Sequence, residues 1–338
     1  MNQTRYRRTP ACRRKRRCRG KNVWLTVWIT VVLLIGTAAG GKLISYIGSE
    51  KAWSIGGRGS EDNIFGSTGN INLNHLYSRY AILIDADSGE VIAHRNSGDK
   101  IYPASMTKIM TAILAIENSD DLGERVTVPP DIFPALYGEG ASLAGFEPGE
   151  EVTLRELLYG ILLPSGAESC VTFAERIAGS EEEFVDLMNE KAKELGMDHT
   201  HFRNCTGLHN AKHYSTASDI AVLLRYALKN PDFREAFCSS RYSTGPSLQH
   251  PDGFTVYSTM FQKLENAKVT GGEILGGKTG YTEEGGLCLA SLANVNGREY
   301  ILVTAKADGN HQTEPFHVLD AVDVYEQIGK SEDGNNGL

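Results

Sequence analysis

Acidic residues are absent from the first 21 positions of this 338-residue sequence, and no charged residue occurs between Val23 and Gly41. The first stretch carries ten of the 34 lysines and arginines, which leaves 24 basic residues against 42 acidic ones in the rest of the chain. Such a basic cluster can bind nucleic acid. Because an apolar span follows it directly, a membrane role explains it better, and we predict no nucleic-acid partner.

The charge-free span is long enough to cross a bilayer, which takes about 20 apolar residues in a helix. Trp24 and Trp28 suit the membrane interface, and the flanking cations favour a cytoplasmic head. The sequence therefore predicts a basic cytoplasmic head at 1–21, a transmembrane anchor at 22–47 and a body outside the cell. Residues 37–39 (Thr-Ala-Ala) resemble a signal-peptidase site, but the length of the span favours an uncleaved anchor.

Cysteine is scarce, and the six residues form no recognisable disulfide framework. We interpret the four that follow the apolar span as buried free thiols; they are Cys170, Cys205, Cys238 and Cys288. Four histidines between positions 199 and 213 match no common zinc-binding spacing. They are His199, His201, His209 and His213. The sequence therefore predicts neither a metal nor another cofactor.

Residues 48–74 are rich in Gly, Ser and Asn, which predicts a flexible spacer. Strand-like patterns then occur at 80–94 and again at 274–307, with helical periodicity between them. This order predicts an α+β domain at 75–330, with an antiparallel sheet built from both chain ends and a central helical region. Residues 331–338 are predicted to be a disordered tail.

Ser105 and Lys108 stand three residues apart at the start of an apolar segment with helical spacing. Residues three apart share one helix face, so the lysine amine lies within reach of the serine hydroxyl. The positive helix end favours the oxyanion that forms when the serine attacks a carbonyl. A capping serine with a solvated lysine has the same spacing, so partners elsewhere in the sequence must decide.

Two later stretches supply such partners. The sequence Lys278-Thr279-Gly280-Tyr281 lies on a predicted strand, where Gly280 allows the backbone of a ligand to approach closely. Ser165 follows a proline that ends one helix and precedes another helical segment. Its hydroxyl can therefore project into a cleft.

The three motifs occur in a set order, as Ser105-x-x-Lys108, Ser165-Gly-x and Lys278-Thr-Gly. Together they resemble the motifs of penicillin-recognising serine enzymes. Flanking residues narrow the resemblance to the low-molecular-mass penicillin-binding D-alanyl-D-alanine carboxypeptidases. These residues are Gly149-Glu150 with Thr153, the stretch from Phe202 to Leu208, and the stretch from His213 to Asp219. The resemblance implies a β-lactamase/transpeptidase-like fold.

The resemblance also implies an activity, the removal of the terminal D-alanine from peptidoglycan stem peptides through an acyl-enzyme, with β-lactams as covalent inhibitors. It implies Ser105 as nucleophile, Lys108 as its base and Ser165 as a proton relay. The backbone N–H groups of Ser105 and Tyr281 are the implied oxyanion hole, and Lys278 with Thr279 is implied to hold the substrate carboxylate. The implied substrate-binding residues are thus Lys278, Thr279, Gly280 and Tyr281.

A basic role for Lys108 requires a neutral amine, although a free lysine titrates at about 10.4. Burial and a neighbouring cation lower a lysine pKa, and Lys278 is the natural neighbour.

Two positions depart from the family pattern. Ala167 occupies the place of the usual asparagine in the second motif, and an alanine side chain cannot form hydrogen bonds. Glu168 follows, but it lies one helical step further round and is a poor substitute. The sequence at 310–312 (Asn-His-Gln) stands where the family often has an arginine for the substrate carboxylate. A β-lactamase, a non-catalytic or slow penicillin-binding sensor, and a carboxypeptidase that confers glycopeptide resistance remain as alternatives.

Overall fold

A six-stranded antiparallel sheet lies at the centre of the computed structural model, which describes residues 71–333. Its strands follow the spatial order β2-β1-β10-β9-β8-β7, and two short two-stranded ribbons, β3-β4 and β5-β6, lie outside it. The strands described are β1 (Tyr80–Asp85), β2 (Val91–Arg95), β3 (Arg125–Thr127), β4 (Glu151–Thr153), β5 (Arg241–Ser243), β6 (Thr255–Tyr257), β7 (Lys268–Val269), β8 (Gly272–Thr282), β9 (Gly286–Val295) and β10 (Arg298–Ala307).

Most of the helices lie between β2 and β7 in the sequence, as predicted. The α-helices of the described residues are α1 (Lys108–Glu117), α2 (Phe133–Gly138), α3 (Leu154–Leu162), α4 (Ala167–Ala178), α5 (Glu181–Glu194), α6 (Ala217–Ala227), α7 (Pro231–Phe237) and α8 (Phe316–Asp333). Short 3₁₀ turns occur at Ala104–Thr107, Pro130–Ile132 and Phe261–Lys263.

The sheet is built from both ends of the described chain, which confirms the predicted α+β class. Strand β1 pairs antiparallel with β10, so that Tyr80 faces Ala305. The hairpin between β9 and β10 turns at Asn296 and Gly297, whose φ angles are 52° and 79°. A tight hairpin needs such positive φ values, which asparagine and glycine tolerate best.

The sheet separates two apolar cores because side chains alternate between the two faces of a strand. On β1, Ile82 and Ile84 belong to the larger core, which the central helices complete. Ala81 and Leu83 point the other way, into a smaller core completed by helix α8. The sheet is thus covered on both faces, and the turn that contains Ser105 lies at the margin of the larger core.

The break before Ser165 has a clear local cause. Helix α3 begins with a capping box, in which Thr153 and Glu156 satisfy each other's backbone N–H groups. It ends at Leu162, two residues before Pro164, and Ser165 then adopts a φ of 73° before α4 begins at Ala167. A non-glycine residue in this left-handed conformation carries strain, which is common where a side chain has a function.

The folded domain extends beyond both predicted limits. Ile71 and Leu73 lie before the predicted start at residue 75, yet both are buried in the smaller core. Helix α8 continues to Asp333 and so takes in the first residues of the predicted tail, while residues 334–338 lie outside the described part.

The predicted head at 1–21, the anchor at 22–47 and most of the spacer also lie outside the described residues. Between residues 71 and 333, no helix has both the length and the apolar character needed to cross a membrane.

Candidate active site

Ser105 lies in the 3₁₀ turn Ala104–Thr107, immediately before α1, and Lys108 is the first residue of that helix. The Lys108 Nζ lies 3.2 Å from the Ser105 Oγ. The same amine donates to the carbonyl oxygen of Thr206, at 2.6 Å. The predicted nucleophile and base are therefore in hydrogen-bond contact, and the Thr206 carbonyl fixes the direction of the lysine side chain.

The nucleophile turn depends on close packing against Gly207. Ala104 has a φ of 48°, which is unfavourable for a residue with a side chain. Gly207, with a φ of 82°, packs against it so closely that a Cβ at this position would lie 1.9 Å from the Ala104 carbonyl oxygen. Only glycine fits both the conformation and the space.

Lys108 is almost completely buried, with 2% of its surface exposed. Burial lowers the pKa of its amine, because the charged form loses its hydration. Burial also lowers the pKa of Lys278 well below its ordinary value, and the charge of Lys108 lowers it further. Burial is the larger cause at both amines. Because repulsion between two ammonium groups is mutual, the interaction of Lys108 with Lys278 agrees with the expectation that Lys278 is the neighbouring cation.

Strand β8 carries the third motif past the nucleophile. A Cβ at Gly280 would lie 2.9 Å from the backbone nitrogen of Ser105, so this glycine allows the strand and the turn to touch. Strand β7 pairs with β8 only at Gly272 and Glu273. In the part of the chain described, the outer edge of β8 beyond Glu273 has no neighbouring strand, so an extended peptide can pair along it.

The two polar side chains of the third motif point in different directions. Lys278 is fully buried, and its Nζ donates to the Thr279 carbonyl oxygen at 2.9 Å. The Thr279 hydroxyl lies on the cleft, 2.6 Å from the Thr259 hydroxyl. The predicted carboxylate contact is therefore available to Thr279, whereas the Lys278 amine is buried, close enough to Lys108 for their charges to interact.

Ser165 lines the same cleft, and its Oγ has no hydrogen-bond partner among residues 71–333. Ala167, in the place of the family's asparagine, is buried and supplies only its backbone N–H, which donates to Ser142. The second motif thus lies where the sequence predicts but forms fewer contacts than the first.

Glu168 is buried, and its charge acts on the Lys108 amine. Its Oε1 accepts the backbone N–H groups of Ala144, Gly145 and Phe146, at 2.6, 3.0 and 3.3 Å. Burial raises the pKa of this carboxyl, and these three hydrogen bonds offset part of the shift. Glu168 therefore orders the loop at residues 144–146 through one of its two carboxylate oxygens.

A small cleft of about 140 Å³ connects these groups. Besides the predicted residues it is lined by Thr259, Gln262, Lys263, His311 and His317. The sequence pointed to His311 only as a departure from the family. Lys263 and His317 carried no local signal, because they lie in a short 3₁₀ turn and in the closing helix, far from any motif.

The other residues considered in the sequence, His213 and the four cysteines, have the surroundings of structural residues. His213 is buried, its Nδ1 accepts the Arg203 N–H, its Nε2 lies 2.8 Å from the Thr107 hydroxyl, and burial lowers its pKa to about 3. All four described cysteines are free thiols, as predicted. Three are buried, Cys238 is half-buried, and burial raises the pKa of each above its ordinary value.

The fold matches that of DD-transpeptidases. The Streptomyces K15 DD-transpeptidase superposes with a TM-score of 0.67 and 24% sequence identity, over 75% of this chain and 97% of that one. A serine in contact with a buried lysine, beside a strand with a free edge, is an arrangement suited to nucleophilic attack on a carbonyl. The fold is therefore that of the β-lactamase/transpeptidase class, and the site is arranged for attack by a serine.

Residues 68–309 match the family model Peptidase_S11, D-alanyl-D-alanine carboxypeptidase, and the chain belongs to this family. The carboxypeptidase DacF of Bacillus subtilis is 44% identical over 152 residues, which are 45% of this chain and 39% of the relative. DacB2 of Mycobacterium tuberculosis is 32% identical over 65% of this chain and 72% of its own. The chain spans about two fifths of the length of the first two curated relatives it matches, at 39% and 38%.

Proposed function

We propose that this protein is a serine D-alanyl-D-alanine carboxypeptidase, which removes the terminal D-alanine of peptidoglycan stem peptides through an acyl-enzyme on Ser105. The contact between Ser105 and the buried amine of Lys108 carries the proposal. Family membership and the free edge of β8, which suits an extended peptide, support it.

In the proposed reaction, neutral Lys108 accepts the hydroxyl proton of Ser105, and the serine oxygen attacks the carbonyl between the two D-alanines. The C–N bond breaks, the leaving amine takes up a proton through Ser165, and the last D-alanine departs. Water then hydrolyses the ester on Ser105. Burial supports the role of Lys108, because it lowers the lysine pKa towards the range in which the amine is neutral.

The negative charge on the carbonyl oxygen needs backbone donors. The N–H of Ser105 lies beside Gly280, and that of the next residue, Tyr281, completes the proposed oxyanion hole. The Thr279 hydroxyl is placed to bind the substrate carboxylate.

A β-lactamase would need a group that activates a water molecule to hydrolyse the acyl-enzyme. Among the residues described, no carboxylate lines the cleft, and Glu168 is engaged by three backbone N–H groups. These observations favour slow hydrolysis of a penicilloyl ester, so that β-lactams act as covalent inhibitors.

The test compares wild type with Ser105→Ala on a peptide that ends in D-Ala-D-Ala, with D-alanine release as the readout. Peptide mapping after labelling with penicillin locates the adduct. We expect release and labelling at Ser105 in wild type and neither in the variant. Labelling without D-alanine release would contradict the carboxypeptidase proposal and support a penicillin-binding sensor instead.

We further propose that the charge-free span at 23–41 anchors the protein in a bacterial cell membrane, with the catalytic domain outside. The length of the span and the ten cations before it support this. After expression in a bacterium, the protein should stay with membranes through a high-salt wash, and external protease should cleave beyond residue 48. Release of a shortened soluble form would identify a cleaved signal.

A further inference from the structure

Three basic side chains in the cleft lie close enough for their charges to interact, and among residues 71–333 none of them has an acidic partner. Lys263, His311 and His317 line the cleft together with Thr279. In the described chain, the Lys263 amine forms neither a hydrogen bond nor an ion pair, and the charges that act on His317 are those of Lys263 and His311. Within the described part of the chain, no aspartate or glutamate lines the cleft. These side chains therefore favour a negatively charged group.

His317 gives the most specific indication of a ligand. Its side chain is 1% exposed, and neither ring nitrogen has a hydrogen-bond partner among residues 71–333. A buried polar group without a partner is unfavourable, and it is a common sign of a ligand that is bound during function. The neutral imidazole carries one N–H, which can donate to an anionic oxygen.

The size and position of the cleft limit the choice of anion. A volume of about 140 Å³ is well below the roughly 300 Å³ at which sites for drug-sized molecules begin. The cleft also reaches Ser105 and the Thr279 hydroxyl. Lys278 is not among the residues that line it, since its side chain is fully buried and its amine donates to a backbone carbonyl. Lys263, from another element, is the lysine among the lining residues of the described chain that can face a substrate carboxylate.

We propose that Lys263, His311 and His317 form the subsite for the carboxylate of the leaving residue, next to the Thr279 hydroxyl. His317 donates its N–H to one carboxylate oxygen, and Lys263 supplies the positive charge. The ring of His311 packs edge-on against Tyr281 at a centroid distance of 4.8 Å and closes the outer side of the subsite. This assignment rests on the proposed function, since it places the leaving residue beside these three side chains.

Acylation by a penicillin tests the subsite, because the free acid carries a carboxylate and its methyl ester does not. The full-length protein in detergent is compared with Lys263→Met and His317→Leu, and the readout is the ratio of the acylation rates with acid and ester. We expect this ratio to fall about ten- to hundredfold in each variant, the range for loss of a hydrogen bond to a charged group. The rate with the ester should change little.

Matched controls separate the subsite from general effects of substitution. Lys229 and His94 are exposed and lie outside the cleft, so Lys229→Met and His94→Leu should keep the wild-type ratio. His317→Gln retains an N–H donor and should recover part of the ratio that His317→Leu loses. If burial makes the His317 variants unfold, the half-buried Lys263 still provides the test.

An unchanged ratio of acid to ester in Lys263→Met would overturn the subsite. Absence of D-alanine release from wild type, with the ratio shifted as expected, would overturn the carboxypeptidase proposal and leave the carboxylate subsite standing. The two failures are therefore distinguishable.

Discussion

The two walls of the cleft differ in how completely their polar atoms are bonded. The nucleophile wall consists of the turn at 104–108 and the strand segment 278–281. Each of its four polar side chains that has an assigned role has a partner within the protein; these are Ser105, Lys108, Lys278 and Thr279. The second-motif wall is the segment 165–169. Three of its buried polar atoms have no partner in the described chain, namely the Ser165 Oγ, the Glu168 Oε2 and the Ser169 Oγ.

This difference between the two walls corresponds to how far each keeps the family motifs in its sequence. The nucleophile wall keeps the family motifs unchanged, and its groups are positioned before any substrate binds, which favours catalysis. The second-motif wall has Ala167 in place of an amide that bonds with its neighbours. Each unpaired buried polar atom lowers the stability of the fold by about 1–3 kcal/mol. A substitution that supplies a hydrogen-bond partner in this wall can therefore increase stability or activity. Four predictions test the contrast.

Loss of the base should have the largest effect. In Lys108→Met the stem loses its amine, and acylation of Ser105 should slow by about 10²- to 10⁴-fold, the usual contribution of a general base. In wild type the rate should rise with pH through the lowered pKa of Lys108, because only the neutral amine accepts a proton. This rise should vanish in the variant. An exposed-site control, Lys229→Met, should keep both rate and profile.

Displacement of the nucleophile turn should come next. In Gly207→Ala the new methyl group would lie 1.9 Å from the Ala104 carbonyl oxygen, so the turn must shift. A shift of about 1 Å at a reacting group costs roughly 10²-fold in rate. Gly179→Ala is a matched control, because its φ of 84° gives the same backbone strain and no atom lies within 4 Å. Both variants should lose thermal stability, and only Gly207→Ala should lose acylation by labelled penicillin. Equal acylation rates would contradict the role of Gly207.

The second-motif wall should respond in the opposite sense. Ala167→Asn restores an amide beside the unpaired serines and should raise kcat/KM on a D-Ala-D-Ala peptide about ten- to hundredfold. Ala167→Leu adds a side chain of similar size without hydrogen-bonding groups and should not raise it. A gain in both variants, or a loss with asparagine, would show that the empty hydrogen-bonding place is not what limits the rate.

The smallest effect concerns stability and pH. Burial raises the pKa of Glu168 in the folded protein, so the protonated carboxyl favours folding and this contribution is lost as pH rises through the folded pKa. Glu168→Gln cannot titrate, so its Tm should fall less between pH 4.5 and 7.5 than that of wild type. A difference of about 2–4 °C corresponds to 1 kcal/mol in a domain of this size. The Tm of Glu190→Gln, at an exposed position, should fall with pH as in wild type. An equal fall of Tm in Glu168→Gln would refute the raised pKa of Glu168.

The fold was largely predictable because its signals are local. The hairpin signal at Asn296 and Gly297 and the capping box at Thr153 each act within a few residues, and the structure contains both. The sheet could be predicted from both chain ends because strand-like patterns occur only there. Short elements such as α7 and the two ribbons were missed, because three to seven residues are too few to show a period.

The site was predictable only where motifs mark it. Ser105, Lys108 and the strand at 278–281 were found from spacing and resemblance. The direction of the Lys278 side chain could not be predicted, because it depends on how β8 packs against the central helices. Lys263 and His317 come together with Thr279 only when a 3₁₀ turn, a strand and the closing helix meet in the folded domain.

The pairing of β1 with β10 also has a consequence for synthesis. Tyr80 meets Ala305, so the sheet cannot close until residues more than 200 positions later have left the ribosome, and such distant pairings form slowly. Ser105 emerges early, whereas β8, which passes directly beside it, comes some 170 residues later. At about 5–20 residues per second, this gap corresponds to roughly 10–30 seconds of translation. During that interval Ser105 exists without the proposed second oxyanion donor, Tyr281, and without the edge of β8, so we expect no acylation of the nascent chain before the domain is nearly complete.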